Sequence, residues 1–336
     1  MKRFSQYWIP GLAIAVSAAL GIQLAHAQAP SADAAERFPL KPVRIVIPVP
    51  PGGIQDALAR GIAVELTKAW GQPVLVENRP GATGVIAAEH VARSAPDGYT
   101  IFQSDSVNLM TNQFLRRNLP YDAVRDFTPV IGLVHTGGEV LVARAQLPAK
   151  NAQELVALAR GKPGTLNYGS FGIGSAAHVG AEKFGLAAGI KATHIPYKGG
   201  GDIAKALLAG EIDFAFTGVP GVLPLIRQDR IRALAFSGLQ RSPALPDVST
   251  LLESGYSVET GSWFGWFVPA ATPKAIVDRI SAEAGRTLES HAFRDKFVLG
   301  VGLEPLNVQA APFGDLVKET REKYSALFKT LQIKLE

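Results

Sequence analysis

The chain contains no cysteine among its 336 residues. Disulfide bonds, thiolate nucleophiles and thiolate metal ligands are therefore excluded. Without covalent cross-links, the folded state depends on the burial of apolar side chains, and 47% of the residues are apolar. A chain of this length is long enough for two domains, each with its own hydrophobic core.

A large excess of charge of either sign is also missing. The chain has 34 lysines and arginines against 29 aspartates and glutamates. Two of the bases lie in the N-terminal leader described next, so the rest of the chain carries 32 bases against 29 acids. Outside the leader no basic cluster is larger than Arg116–Arg117. This balance argues against a nucleic acid as partner.

Long uncharged apolar runs are confined to the N-terminus. Lys2 and Arg3 precede the stretch WIPGLAIAVSAALGIQLA, which ends in the triplet Ala25-His26-Ala27. This arrangement predicts a secretory signal peptide, residues 1–27, that is cleaved after Ala27. The alternative is a retained membrane anchor, because the run approaches the roughly 18 residues that a spanning helix needs. The small residues of the triplet and the polar, alanine-rich stretch after it favour removal and an exported, soluble chain.

Nucleotide-binding motifs are incomplete. The stretch VIPVPPGGIQD, Val46–Asp56, runs from an apolar strand into a glycine pair, but it lacks the Gly-Lys-Ser/Thr ending that holds a triphosphate. The stretch GSFGIGS, Gly169–Ser175, comes closer to a dinucleotide loop, yet the acid expected about 20 residues later is missing. No nucleotide cofactor is expected.

Catalytic and metal-binding motifs are missing as well. No Gly-x-Ser-x-Gly turn surrounds a serine, and the scattered histidines form no His-Glu-x-x-His pair. Ser175 and His178 lie three residues apart on one predicted helical turn, but no nearby acid would orient the histidine. We expect Ser175 to cap the helix and His178 to pack or to make one hydrogen bond. No metal is expected.

Strands and helices alternate in the first hundred residues. VRIVIPV, Val43–Val49, is a continuous apolar run that is typical of a strand buried on both faces of a parallel sheet. Leu58, Ile62 and Leu66 recur four residues apart and stripe one face of the following helix. The elements predicted next are the strand Pro73–Asn78, a helix near Val85–Ser94 and the strand Asp97–Ser104. This order predicts an α/β unit with a mostly parallel sheet covered by helices.

A second unit of the same kind follows. Its predicted elements are the strand Thr165–Ser170, a helix after the glycine turn 171–175, the strand 192–197, a helix capped by Asp202, and two strands that flank PGVLPLIRQ. Two apolar stretches, Val130–Arg144 and Gly261–Ala270, are interpreted as strands that cross between the units. The remaining chain is predicted to be mostly helical, with one helix opened by Pro273 and an amphipathic final helix, Ala310–Leu331, that returns to the first unit.

Both glycine loops join a strand to a helix. At a helix start, free backbone N–H groups and the helix dipole favour negative charge, and glycine removes the Cβ that would keep a ligand away. Two such loops facing one cleft would clamp a small anion such as a carboxylate. The alternative is that the glycines only permit tight turns. Each loop alone leaves both interpretations open, and the matching positions of the pair favour ligand binding.

Several motifs occur together in the order typical of one family. They are PVRIVIPVPPGGIQDALAR, GQPVLVENRPGATG, APDGYT, PGTLNYGSFGIGSAAH, HIPYKGG and SWFGWFVPAATPKAIVDRI. On these motifs the chain resembles the extracytoplasmic solute receptors of tripartite tricarboxylate transporters, often called Bug-type receptors. The resemblance extends from about Phe38 to the C-terminus.

The resemblance implies an α/β, two-lobed periplasmic binding protein fold similar to type II. Residues 38–139 and 263–336 would form the first lobe and residues 140–262 the second, joined by two crossing strands. Such a monomeric receptor captures a small carboxylate-bearing metabolite in the interlobe cleft, in the periplasm, for a tripartite transporter or for sensing. The implied ligand is a small organic acid, an amino acid or a related amide. The alternative is a secreted hydrolase that uses a cleft serine, Ser104 or Ser175.

The resemblance also implies where the ligand lies. In the family, the loop matching Pro50–Asp56 holds a ligand carboxylate through backbone groups and ordered waters, and the loop matching Ser170–His178 holds the other end. The candidate ligand-binding residues are Pro51, Gly52, Gly53, Ile54, Gln55, Asp56, Ser104, Asp105, Phe171, Gly172, Gly174, Ser175, Ala176, His178 and Thr217.

The chain departs from the family pattern at two places. Ala176 and Ala177 replace the usual Ser or Thr, and Asp105 stands where a small neutral residue is usual. An ionised Asp105 facing the cleft would repel a second ligand carboxylate at close range. This departure favours a monocarboxylate, an amino acid or an aromatic amide-type solute over citrate-like acids. The alternative is that Asp105 caps a local turn and faces away.

Overall fold

The computed structural model describes residues 37–331. The predicted signal peptide and its cleavage point lie outside the described residues. Within them, the strands are β1 (Val43–Ile47), β2 (Val74–Asn78), β3 (Thr100–Asp105), β4 (Phe127–His135), β5 (Val140–Arg144), β6 (Asn167–Ser170), β7 (Thr193–Pro196), β8 (Phe214–Thr217), β9 (Ile231–Phe236), β10 (Trp263–Pro269) and β11 (Glu304–Gln309). The helices are α1 (Ile54–Trp70), α2 (Val85–Ala92), α3 (Ser106–Leu115), α4 (Ala152–Gly161), α5 (Ala176–Ala188), α6 (Gly200–Ala209), α7 (Val219–Arg227), α8 (Lys274–Glu289), α9 (His291–Phe297) and α10 (Ala310–Thr330).

Six strands form the first sheet, in the order β11-β4-β10-β3-β1-β2. β1 pairs in parallel with β2 and β3, as the alternation of strands and helices predicts. β10 is antiparallel to β3 and β4, and β11 is antiparallel to β4. β1, β2, β3 and β4 therefore run in the same direction, and their carboxyl ends lie at the same edge of the sheet.

Five strands form the second sheet, in the order β7-β6-β8-β5-β9. β6 is parallel to β7 and β8, whereas β5 is antiparallel to β8 and β9. All strands of this sheet except β5 thus run in one direction. Two helix-covered sheets, each mostly parallel, confirm the predicted α/β class. No helix within residues 37–331 is long and apolar enough to cross a membrane.

Two extended segments connect the sheets, and here the structure differs from the predicted crossing strands. β4 ends in the first sheet and β5 begins in the second, so the stretch Val130–Arg144 contributes two separate strands. Gly137 and Gly138 lie between them with φ angles of 65° and 154°, which interrupts the strand conformation. A Cβ on Gly138 would lie 2.4 Å from the backbone nitrogen of Gly238, so the two segments pack backbone against backbone.

The final helix packs on the first sheet through Phe313. This side chain is fully buried, and its ring centroid lies 5.0 Å from that of Trp263 and 5.4 Å from that of Phe267. A Cβ on Gly265 would lie only 2.2 Å from the ring, so glycine is required in β10 at this point. β10 and α10, which come late in the chain, therefore pack into the same hydrophobic core as β1.

Some elements differ from their sequence predictions. Gly199, not Asp202, is the N-cap of α6, because the helix begins three residues earlier than predicted and places Asp202 in its first turn. At this position the negative charge of Asp202 still interacts favourably with the positive end of the helix dipole. Three elements, α3, α4 and β11, are not predicted from the sequence, whereas α9 lies in the stretch that is predicted to be mostly helical.

Candidate functional site

Each sheet carries strand-to-helix loops at the carboxyl ends of its strands. In the first sheet β1 leads into α1 and β3 into α3, whereas in the second sheet β6, β7 and β8 lead into α5, α6 and α7. Helix N-termini attract negative charge, and ligands of open α/β sheets bind at this edge. These two sets of loops define the candidate site.

The β1–α1 loop leaves its backbone accessible. Gly52 has a φ angle of 91°, and Gly53 is the N-cap of α1. A Cβ added at either glycine would meet no atom of residues 37–331 within 4 Å. Pro51 is exposed beside them, and Ile54 packs partly against the first core. The loop therefore presents backbone N–H groups next to open space.

Asp56 fixes the shape of this loop. Its Oδ2 accepts the N–H of Gly52 at 3.0 Å and a bond from Arg60 Nε at 2.9 Å, and its Oδ1 accepts from Asn78 Nδ2 at 2.9 Å. Burial opposes ionisation of Asp56, but the hydrogen bonds from Arg60, Gly52 and Asn78 outweigh it and lower the pKa of the carboxyl. These hydrogen bonds of Asp56 thus hold the loop in one conformation.

Asp105 is a buried N-cap of α3. Its Oδ1 accepts the N–H of Asn108 at 2.8 Å, and its Oδ2 accepts the side-chain amides of Gln55 at 3.0 Å and of Asn108 at 2.7 Å. Burial raises the pKa of Asp105, and the bonds from Asn108 and Gln55 oppose this effect. Of the two alternatives that the sequence leaves open, capping is confirmed, and the carboxyl group is turned toward α1.

A second buried amide connects this loop to the sheet. Gln103, on β3, donates to the backbone oxygen of Gln55 at 2.8 Å and accepts a hydrogen bond from Trp266 Nε1 at 2.9 Å. Its neighbour Ser104 is also buried, and its hydroxyl donates to the backbone oxygen of Asp105 at 3.3 Å. Ser104 therefore lies beneath the loops.

Local hydrogen bonds fix the β6–α5 loop of the second sheet. Ser175 caps α5 by accepting the N–H of His178 at 3.4 Å, and Nδ1 of His178 accepts the N–H of Gly174 at 3.0 Å. Ser170 Oγ accepts the N–H of Gly172 at 3.1 Å. The expected capping role of Ser175 and the single hydrogen bond of the His178 ring are both confirmed.

Two stacked histidines support this loop from below. The rings of His178 and His194 lie 4.1 Å apart, and Tyr168 stacks on His194 at 5.0 Å. Burial lowers the pKa of each histidine to about 4, so both rings are neutral at pH 7. Nε2 of His194 lies 2.6 Å from Ser170 Oγ, which joins the stack to the loop.

Two threonines that the sequence analysis missed bridge the sheets. Thr83 Oγ1 donates to the backbone oxygen of Ile173 at 3.2 Å, and Thr111 Oγ1 donates to that of Gly174 at 2.8 Å. Thr83 has a φ angle of 53°, which β-branched residues avoid. Such local strain occurs often at ligand-binding loops. The loops of the two sheets are therefore in direct contact at this point.

The far wall of the second sheet includes two more predicted residues. A Cβ on Gly200 would lie 3.7 Å from the ring of Phe171 and 3.9 Å from Thr217 Oγ1. Gly199 and Gly218 precede α6 and α7 as N-caps, and a Cβ on Gly199 would meet no atom of the described chain within 4 Å. Phe171 and Thr217 are thus brought next to the helix starts of the second sheet.

Ala176 lies elsewhere. It lines a cavity of about 220 Å³ between α3, α5 and α10, together with Ser106, Val179 and Tyr324. Of the predicted residues, the β1–α1 loop, Asp105, the β6–α5 loop and Thr217 surround the edge where the sheets meet, whereas Ala176 faces this separate cavity.

Hydroxyl groups hold the two connecting segments together. Thr136 donates its N–H to the oxygen of Ser262 at 2.8 Å, and Ser262 returns its N–H to Thr136 Oγ1 at 2.9 Å. Ser237 accepts the N–H of Glu139 at 2.8 Å, and its hydroxyl also contacts that of Thr260. The two connections therefore form one hydrogen-bonded unit.

Glu139 places a buried carboxyl group in this unit. Its side chain is 5% exposed, and its Oε2 has no hydrogen-bond partner among the described residues. Burial and the negative charge of Asp105 raise the pKa of Glu139 to about 8, against a bond from Thr260 that lowers it. Glu139 is therefore mostly protonated at pH 7.

Two helix-covered sheets are joined by two connections, residues 136–139 and 237–262, and carry glycine-bearing helix starts at the edges where they meet. This arrangement defines the class of two-lobed solute-binding proteins. A sequence model described as a tripartite tricarboxylate transporter family receptor matches residues 58–333. The chain belongs to this family. It is a solute-binding receptor, and the Bug-type resemblance is confirmed.

Solved structures support this assignment. The Rhodopseudomonas palustris protein Rpa4515, solved with adipate, has a TM-score of 0.83 and 32% identity, covering 87% of this chain and 98% of its own. MatC from the same organism, solved with malate, has a TM-score of 0.81 and 30% identity, covering 87% of this chain and 100% of its own. The periplasmic binding protein BugD has a TM-score of 0.82 and 30% identity, covering 89% and 100%.

Proposed function

We propose that this chain is an exported, monomeric periplasmic receptor that closes on a small carboxylate-bearing metabolite and delivers it to a membrane transporter or a sensing system. The observation that carries the proposal is the contact between the two lobes beside their glycine loops, where Thr83 and Thr111 of the first lobe donate to the backbone of the β6–α5 loop. A small anion between them would meet N–H donors from both sides, and binding across such a cleft favours closure.

We place the lobe boundaries at residues 139 and 262. The first lobe then comprises residues 38–139 and 263–336, and the second comprises residues 140–262. This division is supported by the sheets, because β1 to β4, β10 and β11 pair with one another and β5 to β9 form the other sheet.

Backbone groups would make most of the ligand contacts. In the first lobe these are the N–H groups of residues 51–54, and in the second lobe those of residues 172–175. Phe171 and Thr217 would contact the ligand from the far wall. Asp56, Ser104, Ser175 and His178 would act by holding the loops in place, because their side chains are buried and hydrogen-bonded within the protein.

The ligand we propose is a monocarboxylate, an amino acid or an aromatic amide-type solute. The relatives Rpa4515 and MatC were solved with dicarboxylates, adipate and malate. This chain lacks the hydroxyls of Ser or Thr at Ala176 and Ala177, and it carries the acid Asp105 beside the first loop. Ala176 lines the separate cavity and Ala177 is buried in the second core, so the weight falls on Asp105, whose negative charge beside the first loop disfavours a second ligand carboxylate.

The hydrolase alternative has no support in the geometry. Ser175 Oγ accepts a backbone N–H, and Nδ1 of His178 accepts that of Gly174, so no carboxylate orients this histidine within the described structure. Ser104 is covered by the loops and donates to a backbone oxygen. A serine nucleophile needs a base that a third group orients.

Mass spectrometry of solute released from freshly purified, denatured protein tests the proposal. We expect a small carboxylic acid, whose addition raises the melting temperature of ligand-free protein. Gly53→Val should abolish this rise, because its side chain would fill the open space beside the loop. Gly161→Val is the matched control, since its position also has no atom of residues 37–331 within 4 Å of an added Cβ. Stability that no carboxylate in a broad panel changes would contradict the receptor function.

A further inference from the structure

Two carbonyl oxygens near the β1–α1 loop lack donors. Oε1 of Gln55 and Oδ1 of Asn108 are buried, and neither has a hydrogen-bond partner in the described part of the chain. The Gln55 side chain is more than nine-tenths buried. A buried acceptor without a donor costs free energy, so native proteins rarely leave one without a reason.

Asp105 explains why these oxygens face away from it. Its Oδ2 receives the amide nitrogens of both Gln55 and Asn108, at 3.0 Å and 2.7 Å, and its Oδ1 receives the backbone N–H of Asn108. Each partner around the carboxyl group is therefore a donor, which suits the ionised form. Rotating either amide would bring its oxygen against the carboxylate, so the carboxylate fixes the orientation of both amides.

The location of these oxygens connects them to the ligand site. Gln55 lies two residues after Gly53, and an added Cβ at Gly52 or Gly53 would meet no atom of the described residues within 4 Å. Asn108 lies in the first turn of α3, and a Cβ on Gly84 would lie 3.7 Å from Asn108 Cβ. The acceptors therefore lie between the starts of α1 and α3 and the strained turn that carries Thr83. The two lobes are in contact here, so a ligand enclosed in the cleft would bring its donor group to the oxygens of Gln55 and Asn108.

We propose that Asp105 is a specificity-determining positioning residue, which turns Gln55 and Asn108 so that their oxygens select a ligand bearing an N–H donor beside its carboxylate. The proposal rests on the receptor function and names its ligand class: an amino acid or the half-amide of a dicarboxylic acid. A dicarboxylate would place an acceptor against these acceptors. A carboxamide or ammonium group would instead supply the missing hydrogen bonds.

Calorimetric titration with matched acid and half-amide pairs tests the proposal. The probes are succinate and succinamate, glutarate and glutaramate, and adipate and adipamate, since each pair differs only by an oxygen and an NH₂ group. For the pair of fitting length we expect the half-amide to bind the wild-type protein roughly tenfold more tightly or better, as one hydrogen bond in a closed site would give.

Two variants separate specificity from folding. Asp105→Asn keeps an N-cap residue but permits Gln55 and Asn108 to rotate, so the preference for the half-amide should fall to nearly one. Gln55→Met removes one acceptor at similar volume and should reduce the preference. Asp122→Asn is the control, because Asp122 also accepts backbone N–H groups but lies on the exposed surface.

The outcomes distinguish this inference from the receptor function. Equal binding of acid and half-amide to the wild type, or a preference that persists in Asp105→Asn, would overturn the role of Asp105 and leave the receptor function intact. Failure of every probe and of the twenty amino acids to bind would contradict both the ligand class and the proposed carboxylate receptor.

Discussion

Gly174 lies at the contact between the two lobes, and its missing side chain permits that contact. A Cβ there would lie 2.2 Å from Leu115 Cδ1 and 3.2 Å from Thr111 Oγ1, and the residue has a φ angle of 80°. The same residue accepts the bridging bond from Thr111 through its oxygen and donates its N–H to His178. One small residue therefore serves both the conformation of the loop and the contact between the lobes.

Gly174→Ala should weaken ligand binding by roughly tenfold or more, which corresponds to about 1.4 kcal/mol. The added methyl group pushes α3 away from the loop and so disfavours closure. Gly164→Ala is the control: its φ of 73° imposes a similar backbone cost of about 1 kcal/mol on folding, but no described atom lies within 4 Å of an added Cβ. Titration calorimetry and thermal melting of both variants compare the effects. Equal affinities in the two variants would contradict the role assigned to Gly174.

Among the elements, the connecting segments carry the most unusual ionisable group. Folded Glu139 keeps its proton up to about pH 8, whereas the ordinary pKa of a glutamate is 4.5. Between these values the folded state binds more protons than the unfolded state. The free energy of unfolding should therefore decrease as pH rises from 4.5 to 8 and level off above it.

Glu139→Gln should remove this part of the pH dependence. The amide cannot ionise, so the variant should become more stable than the wild type by several kcal/mol near pH 9 relative to pH 5. Denaturant unfolding at a series of pH values measures the effect. Glu65→Gln, on a half-exposed face of α1, should follow the wild-type profile. Parallel profiles for Glu139→Gln and the wild type would show that Glu139 is ionised in the folded protein.

The elements also show how far the sequence could be read. α1 and β1 were predictable, because their apolar periodicities are strong and glycines mark their ends. α3 was not, since SVNLMTNQFL contains several residues with low helix propensity, and its formation depends on burial of Leu109, Met110 and Leu115 and on the cap from Asp105. β11 contains a proline and Asn307 with a φ angle of 44°, which only an edge strand tolerates.

The sequence predicts the candidate site only where backbone groups of the glycine loops form it. The glycines of the β1–α1 and β6–α5 loops are visible in the sequence because the turns and helix starts require them. Thr83 and Thr111 are far from their partners along the chain, and only the packing of two lobes brings them to the β6–α5 loop. The sole sequence signal was the spacing of Asp105 and Asn108, which fits an N-cap and its third helical residue.

At the scale of the whole molecule, ligand should shift the receptor toward its closed form. We expect the unliganded protein to sample more open arrangements in which the Thr83 and Thr111 bridges break, and a ligand held by both lobes to favour the closed population. Small-angle X-ray scattering should then show a smaller radius of gyration at saturating ligand. Thr111→Val, which removes one bridge, should show a larger radius without ligand, whereas Thr128→Val, on β4, should not. An identical scattering profile with and without ligand would count against closure.

The hydrogen bonds of Gln103 have an optical consequence. They connect the backbone of Gln55, at the ligand loop, to the indole of the fully buried Trp266 in two steps of 2.8 Å and 2.9 Å. The emission of an indole responds to the polarity of its immediate hydrogen-bond partner. A charged solute at the β1–α1 loop should therefore change the fluorescence of Trp266, so that binding could be followed without an added label.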